Sequence, residues 1–109
     1  NKKINKKINI IKENEKVKAS WFGLPITLSR SIDKKLFIKK IEKKGIETRP
    51  IISGNFLKQP ALKKYKLVSK IKMKNADFVN NQGFFISLPT KNISSNIVKK
   101  LVKVFEQSV

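Results

Sequence analysis

Cysteine and histidine are both missing from this chain. Without cysteine there is no disulfide framework and no thiolate metal site; the absence is compatible with the cytoplasm, where the protein is expected to work. Without histidine the chain lacks the commonest general base and the usual nitrogen ligand of zinc, so no metal site is expected. Acid is scarce: seven carboxylates face 26 basic residues, a formal charge of +19. No apolar run approaches the roughly 20 residues that cross a bilayer. No signal-peptide pattern opens the chain, and no membrane partner is expected. Arginine is rare too, with only Arg30 and Arg49 beside 24 lysines.

What is present is lysine, asparagine and isoleucine, enriched together. That combination matches a codon bias toward A and T, which places lysine on any surface. A charge of +19 also raises a second reading, a small basic nucleic-acid-binding module that gains affinity by releasing phosphate counterions. The scarcity of arginine, whose planar fork suits phosphates and base edges, weighs against it, and no specific nucleic-acid partner is expected. At 109 residues the chain makes one domain with a modest core. Its 39% hydrophobic content, Trp21 and seven phenylalanines argue for a folded protein. The first residue is Asn1 and not an initiator methionine, so the chain is expected to be a piece of a longer protein.

Residues 1–18 read as a lysine-rich lead-in. Ile4, Ile8 and Ile11 have helical spacing, which suits a helix tail, and a solvated linker fits equally. Residues 19–109 form the domain proper. A strand is expected over 17–28, with Trp21, Phe22, Ile26 and Leu28 packing on a sheet face and Pro25 demanding an edge or a bulge. Ser29 or Ser31 caps the next helix, Asp33 lies in its first turn, and Ile32, Leu36, Phe37 and Ile41 form its apolar stripe. Gly45 suits a left-handed helix end, and a strand over 46–52 follows. Beyond Gly54 a loop runs to Gln59, and Pro60 opens a short helical turn as far as Tyr65. Residues 66–74 read as a loop. A short helix from Asn75 or Asp77 ends near Gly83, and 83–88 is the strand with the strongest buried pattern. Asn92 or Ser94 caps the last helix, where Ile97, Leu101, Val104 and Phe105 share one face. This order predicts an α/β, two-layer α+β domain. It carries a three- to four-stranded sheet with helices mainly on one face, leaving the other face to dock on something larger.

Three pieces of sequence carry a family resemblance. They are Ser20-Trp21-Phe22-Gly23-Leu24-Pro25-Ile26-Thr27 followed by Arg30; Gly45-Ile46-Glu47-Thr48-Arg49; and Gly54-Asn55-Phe56-Leu57-Lys58-Gln59-Pro60. Asn75-Ala76-Asp77, Gln82-Gly83-Phe84-Phe85-Ile86 and Leu88-Pro89 continue in order. Together they resemble the DegT-type sugar-nucleotide aminotransferase family, and within it the 3-dehydrase branch of lipopolysaccharide and O-antigen deoxysugar biosynthesis. The Thr-Arg pair and the Gly-Asn-Phe-x-x-Gln-Pro element are the specific part.

The resemblance implies the C-terminal small domain of a fold-type I enzyme that uses pyridoxal 5'-phosphate. The cofactor, and the lysine or histidine that works on it, would belong to a large domain outside this chain, so no catalytic residue is expected here. The implied substrate is a nucleotide-diphosphate 4-keto-6-deoxy sugar, and the implied partners are the large domain and a second copy in a homodimer. The implied substrate contacts are Arg49 first, for its fork, then Asn55, Ser53, Phe56 and Gln59. Trp21 and Phe22 are assigned to packing and Asn75-Ala76-Asp77 to a helix start. Aminotransfer by the same family and a purely structural docking domain are the other readings.

Overall fold

The computed structural model describes residues 6–65 and 72–109. In chain order it holds β1 (Ile8–Ile10), β2 (Gly23–Leu28), α1 (Lys34–Glu42), β3 (Thr48–Pro50), a 3₁₀ turn (Phe56–Lys58), α2 (Pro60–Lys64), α3 (Lys74–Gln82), β4 (Gly83–Ser87) and α4 (Ser95–Ser108). The strands form one antiparallel sheet in the order β1-β2-β4-β3. The expectation of a small sheet with helices mainly on one face is met by an α+β arrangement.

Register decides which residues share a face, because directly opposed residues point the same way. The pairs Ile8↔Leu28, Ile26↔Phe84 and Leu24↔Ile86 face the helices. The pairs Asn9↔Thr27, Pro25↔Phe85 and Arg49↔Phe85 face away. On the helix side Phe37 and Ile41 of α1 and Phe105 of α4 close over Ile8, Ile26, Leu28, Phe84 and Ile86. The Phe37 ring sits 6.0 Å from Phe84 and 5.7 Å, edge on, from Phe105. Each such buried ring contributes about 1.5–3 kcal/mol, and offset or edge-on geometry favours the trio further.

Local chemistry explains the helix ends. Asp33 itself is the N-cap of α1, accepting from the Leu36 amide at 3.1 Å, so the helix begins later than a cap at Ser29 or Ser31 requires. Those two serines bond each other instead, at 2.7 Å. Gly45 has φ of 83°. Its amide donates to the Glu42 carbonyl and the Ile46 amide to the Ile41 carbonyl, the paired bonds of a Schellman end, and Ile46 then packs on the core.

Four expectations change. Ile8–Ile10 is a strand and not a helix tail, because pairing with Leu28 buries Ile8 in the core. Ile4 lies outside the described residues, as does most of the expected 66–74 loop. β2 lies inside the sheet and not at its edge; Pro25 is tolerated because β1 pairs only with residues 26–28 and stops short of it. Residues 17–22 precede the strand, and Phe22 is 84% exposed and Trp21 38%. Phe85, on the face away from the core, is half-buried, its ring 6.1 Å from Phe22.

Candidate functional site

α3 is where the separated motifs meet. β2 and β3 both run antiparallel to β4, so the ends of β2 and β3 and the start of β4 lie together at one end of the sheet. α3 runs directly into β4 there. The chain leaving β3 turns at Ser53, whose φ of 61° is unusual for a residue with a side chain, and lays Gly54 against α3. A Cβ at Gly54 would fall 2.7 Å from the Asn80 Cα and 2.9 Å from its Oδ1. Glycine is required here by that close approach and not by an unusual φ.

Asn55 follows and is buried. Its Nδ2 donates to Asp77 Oδ1 at 2.8 Å, and its Oδ1 accepts from the Leu57 amide at 3.0 Å, capping the 3₁₀ turn. Lys58, at the end of that turn, reaches the same Asp77 oxygen at 2.6 Å. The hydrogen bonds from Lys58 and Asn55, together with the Lys58 charge, hold the Asp77 carboxyl below its ordinary value against a smaller opposing effect of desolvation. In the other direction Lys34 of α1 donates to the carbonyls of Asn80 and Gly83, at 3.0 and 3.2 Å. Partial burial lowers its pKa. α3 is thus held by the Gly54–Gln59 loop at Asp77 and Asn80 and at its end by a lysine on α1.

The residues expected to touch substrate divide between two roles. Ser53 and Phe56 are exposed, Phe56 by 63%, so Phe56 is not a core anchor. Gln59 is half-buried, with its amide closing the 3₁₀ turn onto the Phe56 carbonyl at 3.0 Å. Asn55 works differently: one end of its amide holds the loop to α3 and the other caps the 3₁₀ turn within the loop. Arg49 stands apart on β3, on the open sheet face beside Phe85, exposed and paired with Glu47 at 2.9 Å. Phe85, its partner across the strands, helps line an apolar groove of about 460 Å³ with Trp21, Phe22, Pro25, Ile51 and Ile52 among others, and no lysine is in that lining. Ile52, like Phe22, is 84% exposed.

Sequence reasoning missed Asp77 as the receiver of Asn55 and Lys58 and Lys34 as the tie on α3, and it named Arg30 only as part of the first motif. The guanidinium carbon of Arg30 lies 5.8 Å from the Phe78 ring centroid. Only the run Asn75-Ala76-Asp77, which reads as an ordinary helix start, hinted at the first.

Lys34 is a lysine whose pKa burial lowers, and its amine is taken up by two backbone carbonyls, so as placed it offers no free amine to form an imine with pyridoxal phosphate. Among the described residues no three or more acids gather as a metal-holding group, and no helix is long and apolar enough to cross a membrane.

The class of protein this architecture defines is seen in solved structures of GDP-4-keto-6-deoxymannose 3-dehydratases. One with a trapped PLP–glutamate geminal diamine matches 95% of the chain at a TM-score of 0.77 and 25% identity, over 28% of its own length. The fold of a ColD variant with bound GDP-perosamine matches 91% of the chain at a TM-score of 0.78, over 26% of its own length. No family model matches the chain. Among curated proteins, the GDP-4-keto-6-deoxy-D-mannose 3-dehydratase of Yersinia pseudotuberculosis is 31% identical over 98 residues, 87% of this chain and 25% of that protein. The lipopolysaccharide biosynthesis protein RfbH of Salmonella typhimurium is 36% identical over 78 residues, 68% of this chain and 17% of that protein. The chain is therefore a homologue of these PLP-dependent 3-dehydratases, as the sequence motifs implied, and it spans about a quarter or less of their length.

Proposed function

We propose that this chain is the C-terminal small domain of a PLP-dependent nucleotide-sugar 3-dehydrase that serves deoxysugar synthesis for lipopolysaccharide in the cytoplasm. Residues 1–18 lead into it, with Ile8–Ile10 already joined to the sheet, and residues 19–109 make up the rest. The observation that carries the reading is the likeness to curated 3-dehydratases over 87% of the chain. The meeting of the Gly54–Pro60 element with the Asn75-Ala76-Asp77 run on α3 supports it, because it brings two of the quoted motifs into one place.

In this reading the cofactor, held by the large domain, supplies the electron sink for loss of the hydroxyl at carbon 3 of a 4-keto-6-deoxy sugar. The small domain supplies a wall. Ser53, Phe56 and Gln59 present their loop to the cleft, Asn55 and Asp77 hold that loop against α3, and Arg49 offers a fork to substrate oxygens. The apolar groove beside Arg49 gives the large domain a surface to cover, and its lack of lysine suits protein better than nucleic acid. A homodimer of the whole enzyme completes the proposal.

The test is turnover by the full-length enzyme with GDP-4-keto-6-deoxymannose, with the sugar product read by mass spectrometry. Loss of the carbon-3 oxygen supports 3-dehydration. Replacement of the keto oxygen by an amine assigns the enzyme to aminotransfer instead, and no turnover with either outcome overturns the reading.

A further inference from the structure

The chain's other arginine faces a second, more polar cavity on the far side of the Asn55–Asp77 contact. Arg30, Lys74, Asp77, Phe78, Asn81 and Gln82 line a space of about 750 Å³ between the turn after β2 and the exposed side of α3. Three observations bear on what this space takes. Arg30 rests over the Phe78 ring, a contact that fixes the guanidinium without using any of its five donors. Among the described residues no carboxylate lies within ion-pair distance of Arg30, whereas Arg49 already holds Glu47 at 2.9 Å. The cavity's only acid, Asp77, is balanced by Lys58 at 2.6 Å, so Arg30 and Lys74 leave the space net positive. In a chain where basic positions are filled almost entirely by lysine, an arginine stacked on an aromatic ring marks a place where a planar fork is used.

We propose that this cavity binds a phosphoryl group, with Arg30 giving a two-bond grip and Lys74 a second positive charge. The ligand class is a phosphate ester or diphosphate. Its identification with the diphosphate of a sugar nucleotide rests on the functional reading above, while the fork itself does not. Arg49 would then meet the sugar side of the ligand or the large domain, and not the phosphates.

The chain's two arginines make a direct test practical. A ¹⁵N-labelled sample shows two arginine Nε–Hε resonances, assigned by Arg30→Lys and Arg49→Lys, and the backbone amide spectrum reports the fold of each variant. Inorganic phosphate, pyrophosphate and guanosine diphosphate are titrated in turn at about 0.15 M sodium chloride, where diffuse attraction to surface lysines is screened. The expected result is a saturable shift of the Arg30 resonance and little movement of Arg49. Affinity should fall about tenfold in Arg30→Lys and by a smaller factor in Lys74→Gln. Equal affinity for the three probes supports a bare phosphoryl site; tighter binding of the nucleotide supports a sugar-nucleotide source. Non-saturating drift of both resonances, a shift confined to Arg49, or full affinity in Arg30→Lys overturns the proposal. A full-length enzyme that turns over sugar nucleotides while Arg30 ignores pyrophosphate leaves the functional reading standing and removes this one. Pyrophosphate binding at Arg30 in an enzyme without such turnover does the reverse.

Discussion

Asn55→Ala separates a loop anchor from a substrate contact. The wild-type amide is buried, donates to Asp77 at 2.8 Å and accepts from the Leu57 amide at 3.0 Å. Alanine leaves the Leu57 amide without its cap, a loss of about 1 kcal/mol. Emptying the buried position and removing the donor costs about 1 kcal/mol more, so the total is about 2 kcal/mol. For a domain of this size each kcal/mol lowers Tm by about 4–8 °C, and the expected fall is about 8–16 °C at neutral pH. Asn55→Asp refines the argument. It keeps the acceptor for Leu57 but sets a second carboxylate against Asp77, so its stability should be worse than that of the wild type at neutral pH and recover part of the gap as the carboxylates protonate. Thermal unfolding of the 109-residue chain, followed by circular dichroism, measures both. A Tm within 2 °C of wild type (roughly half a kcal/mol or less) for Asn55→Ala would refute the anchoring role and return Asn55 to the list of free substrate contacts.

Gly54→Ala should be destabilising although the backbone there is ordinary, because its Cβ would meet the Asn80 Cα at 2.7 Å; hydrogen exchange should show the loop and α3 loosening together, and unchanged exchange in both would count against the close approach. The folded-state pKa of Asp77 is depressed, so the stability it contributes is present above its ordinary value of 3.8 and is lost as pH falls through the lower folded value. Asp77→Asn should therefore flatten the acid limb of the stability profile below pH 3.8, and an unaltered limb would show that the Lys58 and Asn55 bonds are energetically idle. Arg49→Lys in the full-length enzyme should raise KM with little change in Tm, since an exposed pair with Glu47 contributes little to folding; normal kinetics with a large loss of Tm would make Arg49 purely structural. The lysine surface should bind nucleic acid weakly and lose that binding steeply between low and physiological salt; sequence-selective, submicromolar binding at physiological salt would revive the nucleic-acid reading.

Much of the fold was legible because its signals are local. Phe37 and Ile41 repeat at helical spacing, although of the expected stripe Leu36 is exposed and Ile32 precedes the N-cap; Gly45 ends α1 in the left-handed conformation, and Gly83-Phe84-Phe85-Ile86-Ser87 is a strand with a stop after it. What local signals could not convey is which strand neighbours which. β1 has three residues within a lysine-rich stretch, and only its pairing with β2 turns Ile8 from a helical stripe residue into core. The interior place of β2 was hidden for the same reason, since Pro25 argues for an edge until the short length of β1 is known. Phe22, 84% exposed with its ring 6.1 Å from that of Phe85, is the clearest failure of apolar-means-buried reasoning.

The candidate site shows the same division between chemistry and placement. Composition singles out two arginines, and the Gly54–Pro60 element names a loop, but nothing in either tells that Asn55 turns inward while Phe56 turns outward. That difference follows from α3. Gly54 has no side chain, so the loop can come within touching distance of Asn80, and at that distance the next residue faces Asp77, whose charge draws both an amide and an ammonium. Once Asn55 is held, the 3₁₀ turn it caps carries Phe56 to the surface and returns Lys58 to the same carboxylate. The loop is thus positioned by one neutral and one charged hydrogen bond to a single carboxylate oxygen of α3 and by the close approach of Gly54 to Asn80, and Arg30 reaches that helix through Phe78. A substrate wall requires such placement, because a polar group aids orientation only when its own position is fixed beforehand. In the proposed reading the motif residue with a buried amide supplies rigidity, and its exposed neighbours, with the fork of Arg30, are the groups that would meet a ligand.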